Sequence, residues 1–347
     1  MSVEGYMNGQ RQTGLGVNMR IATVSHSHIA HRQQWFFQEI AKQGHDVLMI
    51  APGQWGNLRA TAHSFLSHGG AKSTFDFVTC RHVFGDNLYT YRFLGAKEAI
   101  ERFDPDWLYV QQEPGSVIAT EAISWKAKKR AIFTWENIEL RDTEILKRYD
   151  LVVCGNPDSL ELVRPHNPNV LLDLQVGIDV GHFCARPGVE RSIKVAYIGR
   201  RIPEKGLPYL IRAWPTVQLL DWQDYLMLPW SYSQVDTVVA YSQDVPHWKE
   251  QAPNYIALEA LSCGCKVVTS DTSAMKYWLE GCPGVVVAEG HEQRDGLLRP
   301  ERISSLRESI ERSTSLKVGD SGRDFVKRKF SNKGIAEELI CCLERFS

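Results

Sequence analysis

The sequence predicts an α/β protein of two domains built on doubly wound parallel sheets, and three observations carry that expectation. β-rich apolar runs alternate with segments of helical spacing along most of the chain, the pattern of repeated βαβ units. Its 347 residues exceed the roughly 100–200 of one domain and suffice for two separate cores. The stretch 165–180 (PHNPNVLLDLQVGIDV) mixes turn residues with one strand and reads as a linker between two such series.

The first series opens with a strand at 20–25 that ends in a His/Ser loop. A helix at 33–42 follows, with Trp35, Phe36 and Ile40 at helical spacing and Gly44 as its stop, and then a buried-type strand at 45–51. An amphipathic helix at 88–103 leads to a strand at 105–111 opening onto Gln112-Glu113-Pro114-Gly115. Next come a helix at 116–129, strands at 130–134 and 151–154, and a helix at 159–163 begun by an N-cap in Asn156-Pro157-Asp158. The second series has strands at 193–198, 237–241, 266–270 and 285–288, with helices at 207–214 and 255–262. Polar helices at 297–313 and 321–329 precede a terminal helix at 332–346. No internal repeat is evident. Ligands of open α/β sheets lie outside the carboxyl ends of the strands, so the loops 25–32, 111–115, 135–137, 199–206 and 244–254 are expected to meet in a cleft.

Composition narrows the class. Lys and Arg total 40 against 41 acids, a net charge of −1, with 43% hydrophobic residues; this excludes a disordered or collagen-like chain and a strongly basic nucleic-acid binder. No run reaches the ~18 apolar residues of a membrane span, and the opening residues lack the apolar core of a signal peptide. A cytoplasmic protein is expected, with 1–18 as a flexible leader and Met19 near the start of the folded part. The eight cysteines lack the spaced pairs of a zinc site and read as reduced thiols.

Two stretches carry chemistry. Gly199-Arg200…Glu204-Lys205-Gly206 lies between a strand and a helix, so a glycine turn brings two cations to a helix N-terminus, an arrangement suited to a diphosphate. The other reading is a solvated basic turn. In Glu250-Gln251-Ala252-Pro253-Asn254…Glu259 one acid lies in a loop and a second inside the following helix. The helical carboxylate can accept the vicinal hydroxyls of a ribose and the loop carboxylate those of a sugar; the alternative for Glu259 is an exposed helix position.

Together with Trp248-Lys249-Glu250-Gln251, Leu258-Glu259-Ala260 and Cys263-Gly264, these residues resemble the retaining sugar-nucleotide glycosyltransferases of GT-B fold, family-4 type (glycosyl transferases group 1). Gln112-Glu113-Pro114 and Thr134-Trp135-Glu136-Asn137 occur in the order seen in a branch of that family, and the resemblance runs from Met19 to the end. It implies two Rossmann-like domains facing across a cleft, with 19–175 on the acceptor side, 176–331 on the donor side and 332–347 crossing back to the first. The implied reaction is retaining, metal-independent hexosyl or pentosyl transfer without a cofactor. Its donor is a nucleotide-sugar, a UDP-sugar foremost, and its acceptor a hydroxyl on a glycan, lipid or small molecule. Arg200 and Lys205 match the diphosphate ligands, Glu259 the ribose-binding acid and Glu250 the donor-sugar acid, with Gly199, Gln251, Pro253, Asn254 and Tyr255 lining the donor.

The pattern departs from the family in places. The family's two acids usually flank seven residues, whereas eight separate Glu250 from Glu259, so either Glu250 or Gln251 fills the first position. Ala252-Pro253-Asn254 replaces a glycine-phenylalanine loop. Between Lys205 and Glu250 only one strand is expected, so the donor domain reads as shortened. Glu113 stands where many members place a histidine, and is assigned either to oxocarbenium stabilisation or to capping the next helix. The catalytic set is thus Glu113, Glu250, Arg200 and Lys205.

His26, His28, His31 and Arg32 at the first strand's carboxyl end, with Trp135, Glu136 and Asn137, are assigned to the acceptor; a solvated loop with one buried histidine is the alternative. No metal site is expected. Asp104-Pro105-Asp106 reads as a turn, 126–130 as a solvated basic helix end, and Trp222, Tyr225, Trp230, Tyr232 and Trp248 as core or cleft wall. Two other functions fit the same residues: a compact glycosyltransferase of modified DNA bases, with nucleic acid as partner, and a sugar-nucleotide-binding protein without transfer activity.

Overall fold

The computed structural model describes residues 18–60, 74–220, 224–289 and 299–347; the expected leader and Trp222 lie outside these. The first unit runs β1 (Arg20–Val24), α1 (His31–Lys42), β2 (Asp46–Pro52), a small hairpin of β3 (Gln54–Trp55) and β4 (Leu58–Arg59), β5 (Phe75–Val83), β6 (Arg92–Leu94) and α2 (Ala96–Phe103). It continues with β7 (Trp107–Val110), α3 (Val117–Ala122), β8 (Lys129–Thr134), β9 (Leu151–Cys154), α4 (Pro157–Val163) and β10 (Val170–Leu172). Eight of these strands form one sheet in the order β10-β9-β8-β7-β1-β2-β5-β6, parallel except for β6. Val24 pairs with Val110 and Val110 with Ile132, so the loops after β1, β7 and β8 leave the sheet side by side.

The second unit comprises β11 (Ile193–Ile198), α5 (Leu207–Ala213), β12 (Gln218–Leu220), α6 (Leu228–Ser233), β13 (Val235–Ala240), α7 (Tyr255–Ser262) and β14 (Lys266–Ser270). After them come α8 (Ser273–Leu279), β15 (Val285–Ala288), α9 (Pro300–Ser315), α10 (Ser321–Lys329) and α11 (Asn332–Arg345). Its parallel sheet has five strands in the order β12-β11-β13-β14-β15. Numbered within this unit the order is 2-1-3-4-5, one of the two common doubly wound arrangements.

Alternation along the strands makes two cores of the first sheet. Ile21, Val47, Met49, Trp107, Tyr109 and Phe133 face α1 and α11, while Ala22, Val24, Leu48, Ile50, Leu108 and Val110 face α2 and α3. The first of these cores continues through Leu174, Val176, Ile178 and Phe183 into Val238, Ala257 and Leu258, so the connection between the units is buried and apolar. It is pinned from behind as well: Ile178 N–H donates to Phe330 O at 2.7 Å and Asn332 N–H to Ile178 O at 2.9 Å. Helix α11 lies on α1, and Trp107 Nε1 donates to Ser347 Oγ at 3.0 Å.

Some elements differ from the sequence expectation. The single helix expected at 88–103 is split, because Arg92–Leu94 pairs antiparallel with Arg81–Val83 and Gly95, at φ +85°, starts α2. Strand β5 escaped notice because most of it is only partly buried. The helix expected over 116–129 ends at Ala122, after which the Lys128 and Lys129 amides bond Pro105 and Asp106 carbonyls. Between Lys205 and Glu250 the chain holds β12 and α6 besides β13, more than the one strand expected.

Candidate functional site in the interdomain cleft

In the second unit two glycines shape the loop after β11. A Cβ on Gly199, at φ +151°, would sit 3.3 Å from Ile256 Cδ1. At Gly206, φ +68°, it would lie 1.9 Å from the Tyr241 carbonyl, so the loop reaches the end of β13 only with glycine there. This approach delivers Lys205 Nζ to 2.5 Å from Glu250 Oε2, with side chains 15% and 7% exposed. The Ser242 hydroxyl donates to the same oxygen, the Glu250 amide donates to Asp244 Oδ1 at 3.1 Å, and the ammonium stands 5.1 Å above the Trp248 ring centroid.

The expected diphosphate lysine and donor-sugar acid are therefore a buried ion pair, and of Glu250 and Gln251 it is Glu250 that faces Lys205. Gln251 and Arg200 are exposed at the rim, Pro253 is buried and Tyr255 half-buried. Asn254 holds φ +50° and its side chain accepts the Ile256 amide at 3.3 Å, capping α7. The Tyr255 hydroxyl donates to Val176 O at 3.2 Å.

Glu259 is buried, which removes the exposed-helix reading. Its Oε2 accepts the Tyr232 hydroxyl at 2.9 Å, and Tyr225 also donates to it. Burial lifts the carboxyl to about 7; the positive charge of Arg32 and the two tyrosine hydroxyls oppose the rise. Arg32 itself lies 4.5 Å above the Tyr255 ring, so this residue, assigned to the acceptor, reaches α7 of the second unit. Tyr225 packs between the units, 6.5 Å from the His31 ring, 5.7 Å from Trp35 and 5.2 Å from Phe183. The carboxylate expected to take ribose hydroxyls is thus occupied by the protein's own.

A carboxyl whose folded pKa exceeds its unfolded value stabilises the fold fully below the unfolded value and loses that contribution as pH rises to the folded one. For Glu259 the window runs from 4.5 to about 7. Glu259→Gln is expected to gain up to about 3 kcal/mol relative to the parent between pH 5 and 8, read from urea unfolding at both values. An unchanged difference would contradict the buried carboxyl.

On the opposite wall Glu113 is tied up. Its Oε2 accepts the Thr134 hydroxyl at 2.6 Å and its Oε1 the Trp135 amide at 3.1 Å. Burial raises it to about 7, with the Thr134 hydroxyl opposing and the nearby Glu136 charge adding to the rise. It does not cap the following helix, whose N-cap is Ser116, accepting from the Ala119 amide. Glu136 is buried and accepts the Tyr89 hydroxyl on Oε1 at 2.8 Å. Trp135 wedges against Gly155, where a Cβ would meet its ring at 2.1 Å, and its Nε1 donates to Gln175 Oε1 at 3.4 Å.

The four residues after β1 do not form one cluster. His28 is fully buried, bonding Ile50 O at 2.8 Å, Gln111 Oε1 at 3.2 Å and Thr23 Oγ1 at 3.3 Å, and burial drives it to about 3. It is a satisfied core histidine, which corrects its assignment to the acceptor. His26 Nδ1 lies 2.6 Å from Gln112 Nε2 and its ring 4.8 Å from Trp55. Burial lowers His26 to about 4, so it is neutral at pH 7 and accepts from Gln112. His31 stacks on Trp35 and Tyr225.

The two walls are joined by contacts that the sequence did not announce. Asn137 Nδ2 donates to Glu250 O at 3.1 Å. Asn156 caps α4 through the Ser159 amide and donates to both Trp135 O and Gln251 O at 3.1 Å. Ser273 Oγ donates to Asp158 at 3.1 Å, and Trp278 Nε1 to Gly155 O at 3.1 Å. Asn156 was legible as a cap; its second role needs the partner loop 95 positions away.

No protein-family model matches the sequence, and no curated protein does. Solved structures match nearly end to end. Sucrose-phosphate synthase from Thermosynechococcus elongatus shares 15% identity at a TM-score of 0.69, covering 93% of this chain and 97% of that one. A glycosyltransferase from Rickettsia africae gives 13% and 0.64 over 95% and 98%. HepE of Anabaena, in complex with UDP and glucose, gives 13% and 0.62 over 94% and 99%. Paired with the two parallel sheets and the cleft between them, this likeness gives the chain the GT-B architecture of these glycosyltransferases.

Proposed function

We propose that the protein is a glycosyltransferase moving a sugar from a nucleotide-sugar, a UDP-sugar foremost, to an acceptor hydroxyl on a glycan, lipid or small molecule. The observation that carries this reading is the position of Lys205, Ser242 and Glu250 at the carboxyl ends of β11 and β13. These are the strands at which the sheet order reverses, where open α/β sheets bind their ligands. A diphosphate entering there exchanges Glu250 for its own oxygens as the partner of Lys205, and Arg200 joins from the rim; both stabilise charge on the leaving group. The HepE complex with UDP-glucose, on a structure of the same architecture, supports the choice of donor.

In this reading residues 19–175 carry the acceptor, with His26, Trp135, Glu136 and Asn137 at its edge, and 176–331 the donor. Transfer proceeds with retention and without a metal, the cations and the N-terminus of α7 supplying positive charge. Among the described residues no helix is long and apolar enough to cross a membrane. The eight free thiols support a reducing, cytoplasmic setting. A thermal-shift screen of UDP, GDP, ADP, dTDP and their sugars tests the donor: a bound nucleotide at 100 times its dissociation constant adds about 2.7 kcal/mol to stability. Stabilisation by a uridine compound is expected, and stabilisation by none contradicts the reading.

A further inference from the structure

We propose that Asn137 and Asn156 are positioning residues: from the first unit they hold the chain at Glu250 and Gln251, so that the Glu250 carboxylate stays on Lys205 until a nucleotide takes the lysine over. The role rests on the glycosyltransferase reading above and adds to it the groups that set how readily the lysine is released. Both side chains are buried, Asn137 at 4% exposed and Asn156 fully covered. Asn137 Nδ2 donates to Glu250 O and Asn156 Nδ2 to Gln251 O, each at 3.1 Å. Two consecutive carbonyls of the second unit are thus fixed by two amides of the first.

The partners of Asn156 settle which way its amide points. The Trp135 and Gln251 carbonyls can only accept, and they take both hydrogens of Nδ2; the Ser159 amide can only donate, and it meets Oδ1 at 2.8 Å. One side chain therefore ties the loop after β8, the start of α4 and the loop of the second unit together.

The grip falls on the residue that neutralises Lys205. The Glu250 amide donates to Asp244 Oδ1 at 3.1 Å, so the backbone of Glu250 is held at both of its polar groups. Its carboxylate is kept at the Lys205 ammonium, 2.5 Å away, and at the Ser242 hydroxyl. The lysine loop is tied to the same segment, the Gln243 amide donating to Glu204 O at 2.7 Å. Lys205 is free for a diphosphate only in the fraction of molecules whose Glu250 has left it, and the apparent affinity is reduced by that fraction. The net worth of one hydrogen bond corresponds to roughly 2–10-fold in such an equilibrium. The bonds from Ser273 to Asp158 and from Trp278 to Gly155 also join the units, but they do not touch residues 250–251.

The experiment titrates UDP into the full chain by calorimetry, with urea unfolding in parallel to show that each variant is folded. Asn137→Ala removes one donor; Asn156→Ser removes the other while a serine still caps α4. Each is expected to bind UDP roughly 2–10-fold more tightly than the parent. In a Glu250→Gln background, where no charge competes for Lys205, the same substitutions are expected to change the affinity by less than about twofold, whereas a purely structural role gives the same shift in both backgrounds. Ser273→Ala, which loosens the units without touching the loop, is expected to bind UDP as the parent does. Asparagine variants that bind UDP no more tightly than the parent, or an equal gain in Ser273→Ala, overturn the role and leave the donor site standing. A parent that binds neither UDP nor another nucleotide removes the donor reading, and this role with it.

Discussion

Lys205→Ala is expected to lower sugar transfer by about 10²–10³-fold, the usual loss when a preorganised group aimed at developing charge is removed. The substitution has a second consequence that must be separated from the first. Glu250, 7% exposed on its side chain, would be left as a buried carboxylate held by Ser242 alone, and breaking one side of a buried pair typically costs about 3–5 kcal/mol. Lys205→Ala is therefore expected to unfold at lower urea as well. Combining it with Glu250→Gln removes the stranded charge, so the double variant is expected to regain most of the stability and none of the transfer. Rates and urea midpoints of the parent, both single variants and the double variant close the cycle. Full activity in folded Lys205→Ala would remove the lysine from the leaving-group site.

Gly206→Ala is expected to destabilise by about 3 kcal/mol or more, summing a left-handed backbone that costs about 1–2 kcal/mol for a residue with a Cβ and an overpacking cost of about 1–3 kcal/mol. The contact is the decisive part. The added carbon would stand 1.9 Å from a backbone oxygen, that of Tyr241, and 3.0 Å from its ring, and neither belongs to a flexible tip that can swing away. Relief requires the 199–206 loop to lift from the end of β13, taking Lys205 away from Glu250, so transfer should fall too. Gly44 is the control: its φ is +101° and an added Cβ meets nothing within 4 Å, so Gly44→Ala should show the backbone cost alone. Thermal unfolding of the two variants tests this, with equal midpoints as the contradicting result.

Much of the fold was legible because most strands are buried on both faces and read as unbroken apolar runs: β1, β2, β7, β8, β9, β11, β13, β14 and β15 were all located. The strands that escaped have a different physics. Most of β5 is only partly buried, and β6 and β12 span three residues each, too short for a period to declare itself. The segment between Lys205 and Glu250 was read as holding one strand, and β12 and α6 became visible only with the structure.

The site was readable where chemistry is local and unreadable where it depends on a neighbour's neighbour. Lys205 and Glu250 were named from their loops, and the structure places them together. That Glu113 is tied up depends on a hydroxyl and an amide from the next strand. In sequence His28 resembled His26 and His31, which are only partly buried, until Ile50 and Gln111 closed over it. Arg32 was grouped with those histidines by sequence, whereas its charge acts on Glu259 in the other unit.

The account stands on a nucleotide-sugar binding between the two units, and titrating the protein with UDP while following thermal stability tests that most directly. The parent is expected to gain stability that saturates with UDP concentration, and Lys205→Ala to show a weakened or absent gain relative to its own ligand-free midpoint. A parent indifferent to UDP and to the other nucleotides at millimolar concentration would contradict the donor site at β11 and β13.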